Sequence, residues 1–545
     1  MCDRCRPWLG RRRRRGRRAL MSVLASGVHA ARASFPFATF REGQREALDA
    51  AREAFAAGVR VVVIEAPTGS GKSALAVTLA HEARDAYVLT GQKILQDQYH
   101  RDFATLALLK GRGTYACEVV QHASAANAPC LMGHTFPACE ACGYYRARDA
   151  ALAAPVALMN YAGFLHQVND AGGFGERELL VLDEAHGVEA HLMQYLHVRL
   201  TDTALERAGI DERLPAFIDP DYAVDVADAL LPRLIARRAQ VDGEIVAGRH
   251  LRQSDLGKLQ TLQWLDGQVR RLRWLTDTWD AGVEWVCEHG FEHGSTWLGW
   301  KPVEVAPFAE ELLLGHARRV LMLSATVLDE TTFLRGLGVP REEAAVIRVA
   351  SNFPPERRPL VLRPVARLTR HHQARELPRL IDEVGAIMED HETEKGVIHT
   401  HSYRIASALY EGLPEHLRRR IVTHVSADGR QAALEDHLTR PEPTVLLTPS
   451  MTEGLDLVDD LARWQVICKL PYPYLGDAQV AARRARDPGW YAWRTCLTLV
   501  QAYGRAVRSR EDHAVTYLLD ADAPAFLARE RGRLPAWFVE ALQAP

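Results

Sequence analysis

Residues 59–84 read VRVVVIEAPTGSGKSALAVTLAHEAR, and no other stretch constrains the fold as tightly. Its opening run of valines and isoleucine does not alternate with polar residues. A strand of that kind is buried on both faces, which predicts a parallel sheet covered by helices on each side. The run ends in a glycine-rich turn, and a helical pattern follows at once. Strand, turn, Gly-Lys-Ser and helix together predict a loop that wraps phosphate. Backbone N–H groups of Thr68, Gly69, Ser70 and Gly71 can close on phosphate oxygens, and the helix N-terminus adds positive potential. Lys72 would reach the β- and γ-phosphates of ATP, and Ser73 would ligate Mg²⁺. Ala66 stands where the general pattern has glycine.

A partner motif follows downstream. Residues 178–186 read ELLVLDEAH, an apolar strand that ends in two carboxylates. Asp183 at the strand end is placed for Mg²⁺, and Glu184 is placed to orient and deprotonate an attacking water. Phosphoryl transfer asks a protein mostly for positioned charge, so these few groups suffice for hydrolysis.

A length of 545 residues predicts three to four domains. Composition is that of a globular chain, with 47% hydrophobic and 25% charged residues. No run of 18 apolar residues occurs, so no membrane span is expected, and a cytoplasmic location is. The net charge of −2 hides an asymmetry, because residues 1–20 carry nine Arg and one Asp. That segment is read as a basic, disordered arm, with Met21 as an alternative start. Only seven Lys stand against 60 Arg, so each Lys is a candidate for a chemical role.

Further segments follow in a fixed order. They are LMLSAT (321–326), GVIHTHS (396–402), VLLTPSMTEGLDL (445–457) and QAYGRAVRS (501–509), with FREGQ (40–44) upstream. In this order they resemble the motifs of superfamily 2 helicases. The resemblance implies two RecA-like domains with ATP between them. It implies that Gln44, beside Phe40, reads adenine, and that Gly454, Asp456 and Gln501 line the nucleotide. Arg505 and Arg508 would reach across to the γ-phosphate. Arginine suits that task, because its charge is permanent and its donors form a planar fork.

Cys117, Cys130, Cys139 and Cys142 lie between the phosphate loop and DEAH. Four thiolates can hold a [4Fe–4S] cluster or a tetrahedral zinc, and spacing alone leaves both open. The flanking segments CGYYRARDAALAAPVALMNYAGFL and WQVICKLPYPYLGD are similar to those of the XPD/DinG iron–sulfur helicases. On that resemblance the four cysteines ligate [4Fe–4S]. The 137 residues between DEAH and SAT (187–323) exceed any simple strand connection. A stripe of Leu256, Leu259, Leu265, Val269, Leu272 and Leu275 reads as helical. In the XPD/DinG group this place holds a helical Arch.

The expected organisation is α/β, with two RecA-like P-loop domains, an inserted Fe–S domain and a helical Arch-like insertion. The basic arm is 1–34, and the first RecA-like domain is built from 35–110, 151–190 and 305–345. The Cys-rich domain is 111–150, the Arch-like insertion 191–304 and the second RecA-like domain 346–545. The resemblance implies an ATP-dependent DNA helicase moving 5′→3′ on single-stranded DNA and unwinding tailed duplexes, as a monomeric motor in replication, repair or recombination. The alternative is a DNA-stimulated ATPase or translocase that remodels protein–DNA complexes without unwinding. Strand contacts call for cations and aromatic platforms. The candidates are Lys93, Lys110, Arg112, Tyr144, Tyr145 and Tyr403.

Overall fold

The computed structural model describes residues 35–543 except 121, 129, 131–136, 220–221, 248–255, 352, 370, 425–428, 450–456, 458 and 508–509. The basic arm and the sites read at Gly454, Asp456 and Arg508 lie outside the described residues.

The described residues form two seven-stranded sheets, each wholly parallel, and one three-stranded antiparallel sheet. In the first half of the chain β1 is Val61–Glu65, β2 Ala86–Thr90, β3 Ala107–Leu108, β4 Val156–Asn160 and β5 Arg177–Asp183. The insertion contributes β6 (Val198–Thr201), β7 (Trp285–Glu292) and β8 (Ser295–Pro302), and β9 (Ala317–Ser324) and β10 (Ala344–Arg348) follow. The second half adds β11 (Leu360–Ala366), β12 (Gly396–His399), β13 (Ile421–Thr423), β14 (Val445–Thr448), β15 (Trp464–Ile467), β16 (Val515–Asp520) and β17 (Leu542–Gln543).

The first sheet runs β10-β1-β9-β5-β2-β4-β3. Val61 and Val63 of β1 enter the core on one face, and Val62 and Ile64 enter the core on the other. This two-faced burial is the reason its sequence lacks alternation. β9 lies between β1 and β5, so the phosphate loop, DEAH and SAT all leave one sheet edge. The second sheet runs β13-β14-β12-β15-β16-β11-β17; its HTHS segment likewise lies at a strand C-terminus, that of β12, while QAYGR lies at the end of the helix Pro488–Tyr503.

Two excursions leave the first sheet. The cysteine segment lies between β3 and β4, in short turns that end in the helix Gly143–Ala153. The longer excursion carries two helices, Ala223–Ala247 and Leu256–Trp279, that pack against each other. Leu259, Leu265, Leu272 and Leu275 are buried there, as the apolar stripe requires. The insertion is not helical throughout, because β6, β8 and β7 form an antiparallel sheet at its base. That base also touches the second domain. The Lys301 ammonium bridges Glu288 and Asp477 at 3.0 and 2.6 Å, and the Gln479 amide donates to the Val303 carbonyl at 2.7 Å. Among the described residues no helix is long and apolar enough to cross a membrane.

Candidate functional site

The phosphate loop is held from outside by Gln44. Its amide nitrogen donates to the Gly71 carbonyl at 3.1 Å, and its oxygen accepts from the Arg41 N–H at 2.6 Å. The Arg41 guanidinium donates to the Gly69 carbonyl. Gly71 has φ near 81°, and a Cβ there would collide with Gln44, so glycine is required twice over. Phe40 does not enter the loop. It stacks on Phe35 at 4.0 Å beneath the Arg45 guanidinium. Lys72 is buried, and its ammonium donates to the Ala66 carbonyl at 3.2 Å. The Ser70 hydroxyl is buried without a hydrogen-bond partner, a donor awaiting an acceptor such as a phosphate oxygen.

Asp183 is buried, with both carboxylate oxygens engaged. The Glu184 N–H donates to Oδ1 at 2.9 Å, and the Tyr99 hydroxyl donates to Oδ2 at 2.8 Å. Burial, then the neighbouring Glu184, raise the Asp183 pKa, while Lys72 opposes them. Glu184 occupies the left-handed region at φ 52°, a strained backbone that turns its partly exposed side chain away from the strand direction.

A polar chain runs from this carboxylate across to the second domain. Glu184 lies 3.3 Å from His186 Nδ1, which is 3.0 Å from the Ser324 hydroxyl. Ser324 donates to the Thr326 carbonyl at 2.9 Å, and the Gln501 amide donates to the Thr326 hydroxyl at 3.2 Å. DEAH, SAT and QxxGR are thus linked through polar contacts, one of them to the Thr326 backbone carbonyl. Glu184, His186, Thr326, Gln501 and Arg505 also line one cavity of about 700 Å³ between the two domains, together with Pro67 and Thr68. Phe353, Arg358, Tyr503 and Trp537 also line that cavity; Phe353, Arg358 and Trp537 lie in a linker and a terminal segment without a motif, so nothing in the sequence pointed to them. Trp493 donates to the Val327 carbonyl at 2.9 Å and fixes the helix Pro488–Tyr503 against the first domain.

Cys117, Cys130, Cys139 and Cys142 line one small cavity of about 290 Å³. None is in a disulfide. Among the described residues no three His, Cys, Asp or Glu side chains are gathered closely enough to hold a metal ion as they stand. The donor set fits a thiolate-ligated group. Arg112 Nη1 donates to Cys130 at 3.6 Å, and its guanidinium lies 4.3 Å over the Tyr144 ring.

Those contacts change the reading of Tyr144. It is fully buried, receives a hydrogen bond from Gln167 at 2.9 Å, and packs edge-on to Tyr115 and Tyr145. Its ring is core and offers no free face for a base. Tyr145 is half-buried, and burial followed by its contact with Cys130 pushes its phenol up to about 12. Lys110 pairs with Asp97 at 2.5 Å. Lys110 and Arg112 nonetheless line a second cavity of about 620 Å³, with His166, Gln167 and Gln263. It lies where the cysteine segment, the first domain and the insertion helix Leu256–Trp279 meet. Lys93 is exposed at the start of the helix Lys93–Asp102, and Tyr403 is exposed after β12.

Residues 386–540 match the helicase C-terminal domain family, and residues 37–205 match the type III restriction enzyme res subunit family. The two matched stretches fall one in each of the two parallel-sheet domains. The fold of the chain is that of solved XPD helicase structures. A solved XPD helicase aligns with a TM-score of 0.61 and 15% identity, over 93% of this chain and all of that one. The Xpd4 structure from S. tokodaii gives a TM-score of 0.58 at 15% identity over 93% of this chain and 100% of its own, and an apo XPD structure 0.56 at 14% over 92% and 99%. No curated protein sequence matches the chain.

Proposed function

We propose that the chain is an ATP-dependent DNA helicase that translocates 5′→3′ on single-stranded DNA and unwinds tailed duplexes. The observation that carries this reading is the polar chain from Glu184 through His186, Ser324 and Thr326 to Gln501. It joins the group assigned to hydrolysis with the opposite domain, so nucleotide state and domain separation act on one another. Lys72 holds phosphate, Glu184 takes the proton of the attacking water, and Arg505 and Arg508 supply charge across the cleft. Ser73 and Asp183 hold Mg²⁺, which when bound offsets charge on the phosphates. Gln44, Thr68, Gly69, Ser70 and Gly71 wrap the nucleotide, with Gly454, Asp456 and Gln501 facing it from the second domain.

The domain division follows the sequence reading, with 111–150 and 191–304 inserted into a first domain of 35–345 and a second domain of 346–545. The strand passes the junction cavity at Lys110 and Arg112 and continues past Lys93 and Tyr403, while Tyr145 flanks the cysteine site. Cys117, Cys130, Cys139 and Cys142 hold a [4Fe–4S] cluster whose task is to keep that small segment folded. A cubane suits thiolates around a cavity better than a single zinc, which needs its four ligands within bonding reach of one point. The neutral basic-to-acidic balance of the chain does not oppose a DNA partner, because a motor needs a local basic channel and not a basic surface.

Unwinding assays on 5′- and 3′-tailed duplexes test the reading. Opening of the 5′-tailed substrate alone, with ATP, is the expected result. Hydrolysis without opening of either duplex would replace it with a remodelling translocase. Anaerobically purified protein should hold about four iron atoms per chain. A colourless protein with one zinc would overturn the cluster assignment. Cys139→Ser should impair unwinding more than ATP turnover, and equal loss would point to global misfolding.

A further inference from the structure

Two buried tyrosines end on Asp183, and they touch different atoms. The Tyr99 hydroxyl donates to the side-chain Oδ2 at 2.8 Å, and the Tyr161 hydroxyl donates to the backbone carbonyl at 2.9 Å. Both rings are inaccessible to solvent. The Asp183 Oδ1 has its own donor, the Glu184 N–H at 2.9 Å. An aspartate carboxyl otherwise turns in a broad, roughly two-fold torsional well. One donor on each oxygen removes that freedom.

Tyr99 reaches further than Asp183. The Ser73 hydroxyl approaches the same phenol oxygen. The tyrosine comes from the helix Lys93–Asp102, whose first turn carries the exposed Lys93 and whose inner face carries Gln96 and Tyr99. Gln96 is buried with neither amide atom hydrogen-bonded, so it does not compete for Asp183.

We propose that Tyr99 is a positioning residue, which pins the Asp183 carboxylate in the geometry that Mg²⁺ and nucleotide need. It does so from the same helix that offers Lys93 to the strand, so the cation site and that stretch of the strand track are one rigid piece. The inference rests on the reading of Asp183 as the cation-site carboxylate. Sequence alone hides it, because a tyrosine on the apolar face of an amphipathic helix looks like core.

The paired tyrosines supply the test. Fluorescent ADP binding is measured at increasing Mg²⁺ for the wild-type chain, Tyr99→Phe, Tyr161→Phe and Asp183→Asn. Each phenylalanine variant loses one buried hydroxyl beside Asp183, so a general loss of stability affects both. Tyr99→Phe is expected to need about tenfold more Mg²⁺ for half-maximal tightening of ADP, the size seen when an outer partner of a metal ligand is removed. Its ADP affinity without Mg²⁺ should stay at the wild-type value, and Tyr161→Phe should keep the wild-type Mg²⁺ requirement. An unchanged requirement in Tyr99→Phe, or equal shifts in both variants, overturns the proposal while leaving the site intact. A wild-type chain indifferent to Mg²⁺, or an Asp183→Asn chain with wild-type behaviour, overturns the Asp183 reading and the proposal with it.

Discussion

On each side of the interdomain cleft one strand ends in a buried ionisable group, and the two groups are of opposite kind. The first domain buries a carboxylate, Asp183, at the end of β5, beside Glu184 and Lys72. The second buries imidazoles, His399 at the end of β12 and His401 just beyond it, with Arg505 and Lys469 close by. Burial drives both kinds toward neutrality, raising the acid and lowering the bases. His399 falls to about 3, through burial first and then His401 and Arg505. His401 falls to about 4, through burial and then Lys469. The histidines therefore lend no positive charge to the cleft near neutral pH. On the proposed function, charge for a phosphate comes from Lys72 on one side and from arginine on the other. Arginine keeps its charge where a buried histidine loses it, which explains why the cross-cleft position holds Arg505.

This contrast breaks first at the permanent charges. Lys72→Ala or Glu184→Gln should abolish DNA-stimulated ATP hydrolysis, measured as phosphate release, and full activity in either sinks the motor assignment. Arg505→Ala should lower turnover by about 10³-fold, the lower range for an arginine acting across an interface on the γ-phosphate. Arg505→Lys keeps the charge and loses the planar fork, so it should recover only part of that loss. Complete recovery would show that charge alone matters and that the fork does not. A smaller effect is expected from Gln501→Ala. It cuts the hydrogen bond to Thr326 that joins the two sides, and one such neutral bond is worth roughly 1 kcal/mol, or about fivefold in a rate. Stimulation by DNA should fall more than basal turnover. Equal loss in both would mean that Gln501 only supports the fold.

The first domain was far more legible in sequence than the details that join the parts. β1, β5 and β9 each hold an unbroken run of four apolar residues just ahead of a motif, so strand, edge and motif could be read together. The insertion's second long helix, Leu256–Trp279, was legible from its leucine spacing. Its base was not, because β7 and β8 mix tryptophan, histidine, glycine and charge and lack a clean period of two. Tyr144 shows the limit from the other direction. A tyrosine beside basic residues has the same pattern whether it stacks on a base or on an arginine, and here it stacks on Arg112. His186 and Gln501 were visible as letters of motifs, but their contacts to Ser324 and Thr326 depend on strands far apart in the chain.

The smallest effect separates the two sides by pH. His399 has a folded pKa near 3, far below the ordinary value of 6.5. Between those values the unfolded chain binds a proton that the folded chain refuses, so stability falls as pH drops below about 6.5. Asp183 has the opposite sign. Its raised pKa means that the folded state binds the proton first, so acid stabilises this site in the carboxylate range. Neither ring nitrogen of His399 meets a hydrogen-bond partner among the described residues, and Gln465 approaches without bonding geometry. Loss of the imidazole therefore removes a titration without removing a bond. His399→Asn should flatten the decline of the unfolding midpoint between pH 6.5 and 4 and leave the midpoint above pH 7 nearly unchanged, as followed by thermal melts across the range. An undiminished acid decline in that variant would move the effect to His401 or to His437, which burial also lowers to about 4. Asp183→Asn should do the reverse and steepen the decline. If both variants flatten it, the two sides do not titrate in opposition, and the contrast drawn from their burial is wrong.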